Sequence, residues 1–253
     1  MKLSLCKFAA ALVLSVLPVS AADLRISAAA SLSETMTEIS VLHEKVHGGK
    51  PILNFGGSNA LARQIKEGAP CDLFFSADEA TLQQLLAGDL LHANSVANLL
   101  GNSLVVITPA NSPLKVQSAT ELAMVKRVAL GDPAAVPAGV YARKWLESQN
   151  TWKAIEPKIV ATENVRGALA AVASGNVDAG VVYKTDAMTS KEVTVAYEVP
   201  ADQAPPIIYP IAATKSSKDP GKAIRFIAFL RTEEAAAIFR KHGFVPLPPT
   251  TEP

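Results

Sequence analysis

Cysteine is almost missing from this chain. Two occur in 253 residues, Cys6 and Cys71. Cys6 falls inside an N-terminal segment that reads as removable, so Cys71 alone would remain, and one cysteine makes no intrachain disulfide. Cys71 stands at the mouth of an apolar strand and is expected to be a buried, inert thiol. Histidine is equally sparse: His43, His47, His92 and His242 show no metal-ligand spacing. His43 and His47 are four apart but fall late in a predicted helix, and all four are expected at the surface. No sign of charge dominates, with 24 Lys and Arg against 23 Asp and Glu, which argues against nucleic acid as a partner. After the first twenty residues there is no second long apolar run, hence no transmembrane helix, and there is no internal repeat or low-complexity tract.

What is present begins with an address. Lys2 and Lys7 precede the apolar run from Phe8 to Leu17, and Pro18-Val-Ser-Ala-Ala22 follows. A basic start, a short apolar stretch and small residues describe a secretory signal peptide over 1–22, cleaved near Ala21 or Ala22. Its removal takes Lys2 and Lys7 away and leaves 22 basic against 23 acidic residues. Cys6 lies ahead of the apolar run, the wrong side for lipid attachment, so a soluble periplasmic protein is expected.

Strands and helices then alternate to the end, the pattern of an α/β protein, with parallel sheets covered by helices on both faces expected. Strands are predicted at 24–27, 51–55 (short and buried), 72–76, 103–108, 127–131, 159–161, 179–183, 194–199 and 207–213. Capping-box spacings mark helix starts at Ser31/Glu34, Ser76/Glu79 and Ser118/Glu121, and Thr151 could cap a short helix. Two strongly apolar strands, near 104–108 and 207–213, flank a middle block. A second domain inserted into the first would be entered by one and left by the other. The expected architecture is therefore two-lobed: 23–104 plus 208–253 in lobe I, 105–207 in lobe II, joined by crossing hinge strands.

Four junctions share one form: a strand, then small residues, then a helix start. They lie at Ser31, Ser58, Ala138 and Val165, two in each block. A helix start leaves backbone N–H groups without partners and carries the positive end of the helix dipole, so a cleft lined by such starts from both sides binds anions with neutral donors. Each junction alone is equally an ordinary capped turn, and Ser58 could be an N-cap. Tyr183, at the end of a strand, also suits a core aromatic with a satisfied hydroxyl. Arg166 reads as a structural ion pair or a solvated face rather than as a counter-charge.

The segments Ala28-Ala-Ala-Ser31-Leu32, Ala60-Leu-Ala-Arg-Gln-Ile65, Gly68-Ala-Pro70, Ser76-Ala-Asp78, Gly131-Asp-Pro133, Val136-Pro-Ala-Gly139, Val165-Arg-Gly-Ala-Leu-Ala170 and Val182-Tyr183 occur in one collinear order. In combination they resemble the periplasmic molybdate-binding proteins of molybdenum ABC importers, which have the type II periplasmic-binding-protein fold. The resemblance implies a non-enzymatic receptor for molybdate or tungstate that acts as a monomer, uses no cofactor and delivers its anion to a membrane permease. It places the oxyanion on Ser31, Ser58, Ala138, Val165 and Tyr183, through hydrogen bonds to the anion's oxygens and not as direct ligands of the metal. Only the backbone matters at Ala138 and Val165. Gly56, Gly57 and Asn59 depart from the family pattern and are expected to loosen the loop around Ser58. Two alternatives stay open. One is a receptor for another tetrahedral oxyanion such as sulfate. The other is a serine hydrolase, because Gly56-Gly-Ser-Asn-Ala60 approaches the G-x-S-x-G elbow, with Ser58 as nucleophile and His242 downstream.

Overall fold

The computed structural model describes residues 24–249; the segment expected to be a signal peptide, its cleavage point and Cys6 lie outside them. The first half of the described chain runs β1 (Arg25–Ala29), α1 (Ser33–His47), β2 (Ile52–Gly56), α2 (Ser58–Lys66), β3 (Leu73–Phe75), α3 (Glu79–Ala87), β4 (Ala97–Asn102), β5 (Leu104–Pro109), α4 (Ala119–Leu122), β6 (Val128–Gly131) and α5 (Pro137–Ser148). It continues with α6 (Trp152–Ile155), β7 (Ile159–Thr162), α7 (Val165–Ala173), β8 (Ala179–Tyr183), α8 (Lys184–Ala187), β9 (Val193–Glu198), β10 (Ile207–Ala213), α9 (Pro220–Phe229), α10 (Glu233–Lys241) and β11 (Val245–Pro246).

The strands form two sheets. One has the order β11-β4-β10-β3-β1-β2, the other β7-β6-β8-β5-β9. The sheets are mixed, not parallel as the alternation of strands and helices suggested. β1 runs parallel to β2 and β3, and β6 parallel to β7 and β8, but β4, β5, β9, β10 and β11 pair antiparallel. The cause is the route between lobes. β4 leads into β5 through Ser103 alone, and β9 returns to β10 through residues 199–206. β4 pairs with β10 in the first sheet and β5 with β9 in the second, so the outward and return strands lie side by side in both lobes. The strands at 104–109 and 207–213 each belong to one sheet, and the chain crosses just ahead of each of them. A strand at Ala97–Asn102 was not anticipated, because turn residues flank its short apolar centre.

The core follows the helical spacing. α1 buries Met36 and Ile39 under the first sheet, after Leu32, and burying such side chains contributes about 1.5–3 kcal/mol each. β2 is half-exposed rather than buried, because it is the edge strand of its sheet. Three predicted caps fail locally. Ser31 lies in a 3-10 turn over Ala30–Leu32 and α1 begins only at Ser33. The cap of α3 is Asp78, which accepts from the Thr81 N–H, while the Ser76 hydroxyl donates to Asp78. The Thr151 hydroxyl donates to the Leu146 carbonyl and caps nothing. Ser118 does cap α4. His43 is not at the surface. It is buried against Phe226 and Phe229, and burial holds its imidazole below the usual value. Cys71 is a free, buried thiol that donates to the Leu73 carbonyl, and burial pushes its pKa up. Among the described residues no helix is long and apolar enough to cross a membrane.

Candidate functional site

The four junctions meet. In the first sheet Ala29 at the end of β1 is in register with Gly56 at the end of β2; in the second, Gly131 of β6 is in register with Thr162 of β7. The carboxyl ends of two adjacent parallel strands therefore face the gap from each side, each leading within a few residues into a helical turn. Between them lies a small cavity walled by Ser31, Ser58, Ala138, Val165 and Tyr183, with Gly57 and Asn164 at its rim. It leaves about 10 Å³ for the centre of a water-sized sphere, about the room that one water needs. Every residue lining it is uncharged.

Helix starts bring backbone N–H groups to its walls. The turn at Ala30–Leu32 and the helices α2 and α5 begin without any side-chain cap. Of the helices away from the cavity, α3, α4, α9 and α10 are capped by side chains, and α6 is not. First-turn N–H groups of a helix have no partner within it, so those at the cavity are left for a guest. Pro137 at the first position of α5 has no N–H, which makes Ala138 the first donor there. At α7, Asn164 accepts from the Gly167 N–H and leaves the earlier turn, at Val165, open.

Three hydroxyls complete the lining. Ser31 is buried, and its Oγ lies 3.0 Å from the Tyr209 hydroxyl. Ser58 is buried and accepts the Ala77 N–H at 3.0 Å. Tyr183 is 1 % exposed, and its hydroxyl has no partner among the described residues. A buried hydroxyl without a partner costs about 1–3 kcal/mol, so the Tyr183 oxygen marks where a polar guest would be stabilised most. Burial pushes its phenol well above the ordinary value, which keeps it protonated and able to donate.

Arg166 is not in the lining. It ties the lobes together beside the cavity. Its Nε lies 2.6 Å from Oδ1 of buried Asp186 on α8, an ion pair without hydrogen-bond alignment, while Nη1 donates to Glu34 on α1 at 3.0 Å. Gly57 is the other close approach. A Cβ there would lie 2.7 Å from the Glu163 carbonyl oxygen of the opposite lobe. Its φ of −61° is ordinary, so the need for glycine is proximity and not backbone freedom. The glycine therefore lets the lobes meet, in place of the loosening expected from sequence. A Gly57→Ala variant is expected to keep its unliganded melting temperature within a few degrees and to lose roughly tenfold or more in anion affinity, because overpacking costs about 1–3 kcal/mol and only the closed form bears it. Calorimetry with molybdate tests this, and an unchanged affinity refutes it.

The hydrolase arrangement does not assemble. His242 pairs with Glu38 on α1 at 2.8 Å, and the hydrogen-bond partner of the Ser58 hydroxyl is a backbone N–H. Among the described residues no group of three or more His, Cys, Asp or Glu is placed to hold a metal ion. Sequence reasoning missed Tyr209, Asn102 and Ala77, which hold the cavity's serines directly or through one another. Nothing in local spacing could have linked residues 178 positions apart.

Comparison with known proteins gives the lineage. A relative in Bacillus subtilis, provisionally named an ABC transporter substrate-binding lipoprotein, is 43% identical over 87% of this chain and 85% of its own length. The molybdate-binding protein of Escherichia coli is 37% identical over 86% of each chain. The solved periplasmic molybdate-binding protein of Azotobacter vinelandii, 24% identical, superposes with a TM-score of 0.80 over 89% of this chain and all of that one, which shows the shared two-lobed fold. The model of the bacterial extracellular solute-binding proteins matches residues 24–245, and this chain belongs to that family.

Proposed function

We propose that this protein captures molybdate or tungstate in the interlobe cavity and presents it to the membrane permease of an ABC importer, without catalysing a reaction. The observation that carries this reading is the Tyr183 hydroxyl, buried and unpartnered in a chargeless cavity where uncapped helix starts converge. Such a lining offers donors and no fixed charge, which suits a small, fully ionised oxyanion. Ser31, Ser58 and Tyr183 would supply hydroxyls, and Ala138 and Val165 backbone N–H groups. The molybdate-binding relative, 37% identical over most of both chains, supports this choice of anion. The N-terminal basic and apolar segment supports export to the periplasm with cleavage near Ala21 or Ala22. The cavity lies between a lobe built from 23–104 plus 208–253 and a lobe built from 105–207, in a protein that acts as a monomer.

Sulfate is a dianion like molybdate but a smaller tetrahedron. When the lobes have closed on the larger anion, it cannot reach every donor. Losing two contacts of roughly 1.5 kcal/mol each already exceeds a hundredfold. Molybdate and tungstate are therefore expected to bind at least a hundredfold more tightly than sulfate in competition calorimetry at neutral pH. Displacement of molybdate by sulfate at comparable concentration would instead identify a sulfate receptor.

A further inference from the structure

We propose that Asn102 and Tyr209, neither of which lines the cavity, determine the selectivity of the site by fixing Ser31 as a hydrogen-bond donor to the guest; this rests on the oxyanion reading above. Asn102 is the last residue of β4, at the point where the chain leaves the first lobe. Its Oδ1 accepts the Ser103 N–H at 2.8 Å, so the other end of the amide must be the NH2 group. That group reaches the Thr185 hydroxyl at 2.9 Å and the Tyr209 hydroxyl at 3.2 Å. An amide nitrogen only donates, so the Tyr209 oxygen accepts. Tyr209 is fully buried, and its hydroxyl has one remaining neighbour, the Ser31 Oγ at 3.0 Å. Its single hydrogen goes there. Ser31 consequently accepts from the protein, and its own hydrogen is left for the cavity. The reverse direction would strand the Tyr209 hydrogen in the core without an acceptor.

Ser58 is fixed in the same sense by a different group. The Ala77 N–H donates to its Oγ, and the serine hydrogen again remains for the cavity. Both serines are therefore locked as donors, by an amide relay on one side and a backbone N–H on the other. Tyr183 has no such lock, and its hydroxyl is free to turn either its hydrogen or a lone pair to a guest. An oxyanion that carries a proton meets hydrogen against hydrogen at both serines. The lock thus disfavours monohydrogen oxyanions, of which hydrogen phosphate is the accessible example, independently of size.

Hydrogen phosphate and sulfate are dianions of nearly equal size that differ by one proton, so the ratio of their affinities isolates the effect. In Asn102→Asp the carboxylate still accepts the Ser103 N–H, but an acceptor replaces the NH2 group. Tyr209 then donates to it, Ser31 donates to Tyr209, and the Ser31 lone pairs turn to the cavity. Calorimetry at mildly alkaline pH is expected to show the phosphate-to-sulfate affinity ratio rising about tenfold or more over wild type. The added negative charge weakens both dianions alike and cancels in the ratio. Tyr209→Phe cuts the relay without reversing it, and the ratio is expected to rise by a smaller factor, which keeps the inference testable should the first variant not fold. A folded variant that retains the wild-type ratio, or binds neither anion, overturns it. Wild-type protein that binds neither molybdate nor tungstate overturns the oxyanion reading instead.

Discussion

Ser31→Ala and Ser58→Ala are each expected to weaken molybdate binding by roughly ten- to hundredfold. A hydrogen bond to a charged acceptor contributes about 1.5–3 kcal/mol, and every 1.4 kcal/mol is about tenfold. The two variants should differ in a second measurement. Removing the Ser31 hydroxyl leaves the Tyr209 hydrogen without an acceptor in the core, and removing the Ser58 hydroxyl orphans the Ala77 N–H. Each loss carries a desolvation cost of about 1–3 kcal/mol in the folded protein. In Ser31→Ala the tyrosine can rotate or take in a water, whereas the Ala77 N–H is fixed in the backbone. Ser58→Ala should therefore show the larger fall in unliganded stability by urea denaturation. Calorimetric affinities unchanged in both variants would remove these hydroxyls from the site.

The part of this molecule that is local was legible in its sequence. The junctions placed the starts of α1, α5 and α7 to within two residues, and the apolar residues at helical spacing behind them, Met36 and Ile39 or Ala142 and Trp145, are buried on one helical face. The four strand-to-helix junctions were visible as small residues between a strand and a periodic run. What could not be read was set by partners far along the chain. The Ser31–Glu34 spacing is that of a capping box, yet Ser31 turns to Tyr209 and Glu34 to Arg166, 178 and 132 residues away. Burial of the hydroxyl and an ion pair across the cleft outweigh a cap of about 1 kcal/mol. Ser76 loses its role to Asp78, a carboxylate two residues nearer the helix. The antiparallel pairing followed the same rule: β4 was not anticipated and is fixed by lying beside β10, and β9, expected as a strand at 194–199, takes its direction from lying beside β5. Asn102 gave no local signal of its effect, since that effect depends on Thr185 and Tyr209, two partners from two distant segments.

Asp186 is expected to make the protein less stable as pH rises from about 4 to about 7. Its carboxyl is fully buried on α8, and that burial raises its pKa to about 7 from an ordinary 3.8, against the opposing pull of Arg166. The folded protein thus holds a proton that the unfolded chain has released across this interval, and stability falls with pH wherever the folded state binds more protons. The contribution is fully present below about pH 4, is lost as pH rises through about 7, and is constant beyond. Its ceiling is ~4 kcal/mol, set by the difference between the two pKa values. Other carboxylates act the opposite way: Glu38 and Glu233, held below the usual range by hydrogen bonds from Lys241 and Arg240, lose their contribution as pH falls. The bare stability curve therefore mixes both trends, and the comparison has to be with Asp186→Asn, which cannot titrate. Urea unfolding at a series of pH values should show the wild type losing ground to this variant steadily between about pH 4 and about pH 7, then running parallel to it. The variant should be at least as stable above neutrality, because a neutral amide in that position removes a charge that burial disfavours while Arg166 keeps Glu34. Parallel curves across the whole range would mean that Asp186 ionises in the folded protein as freely as in the unfolded chain, and that Arg166 compensates its burial in full.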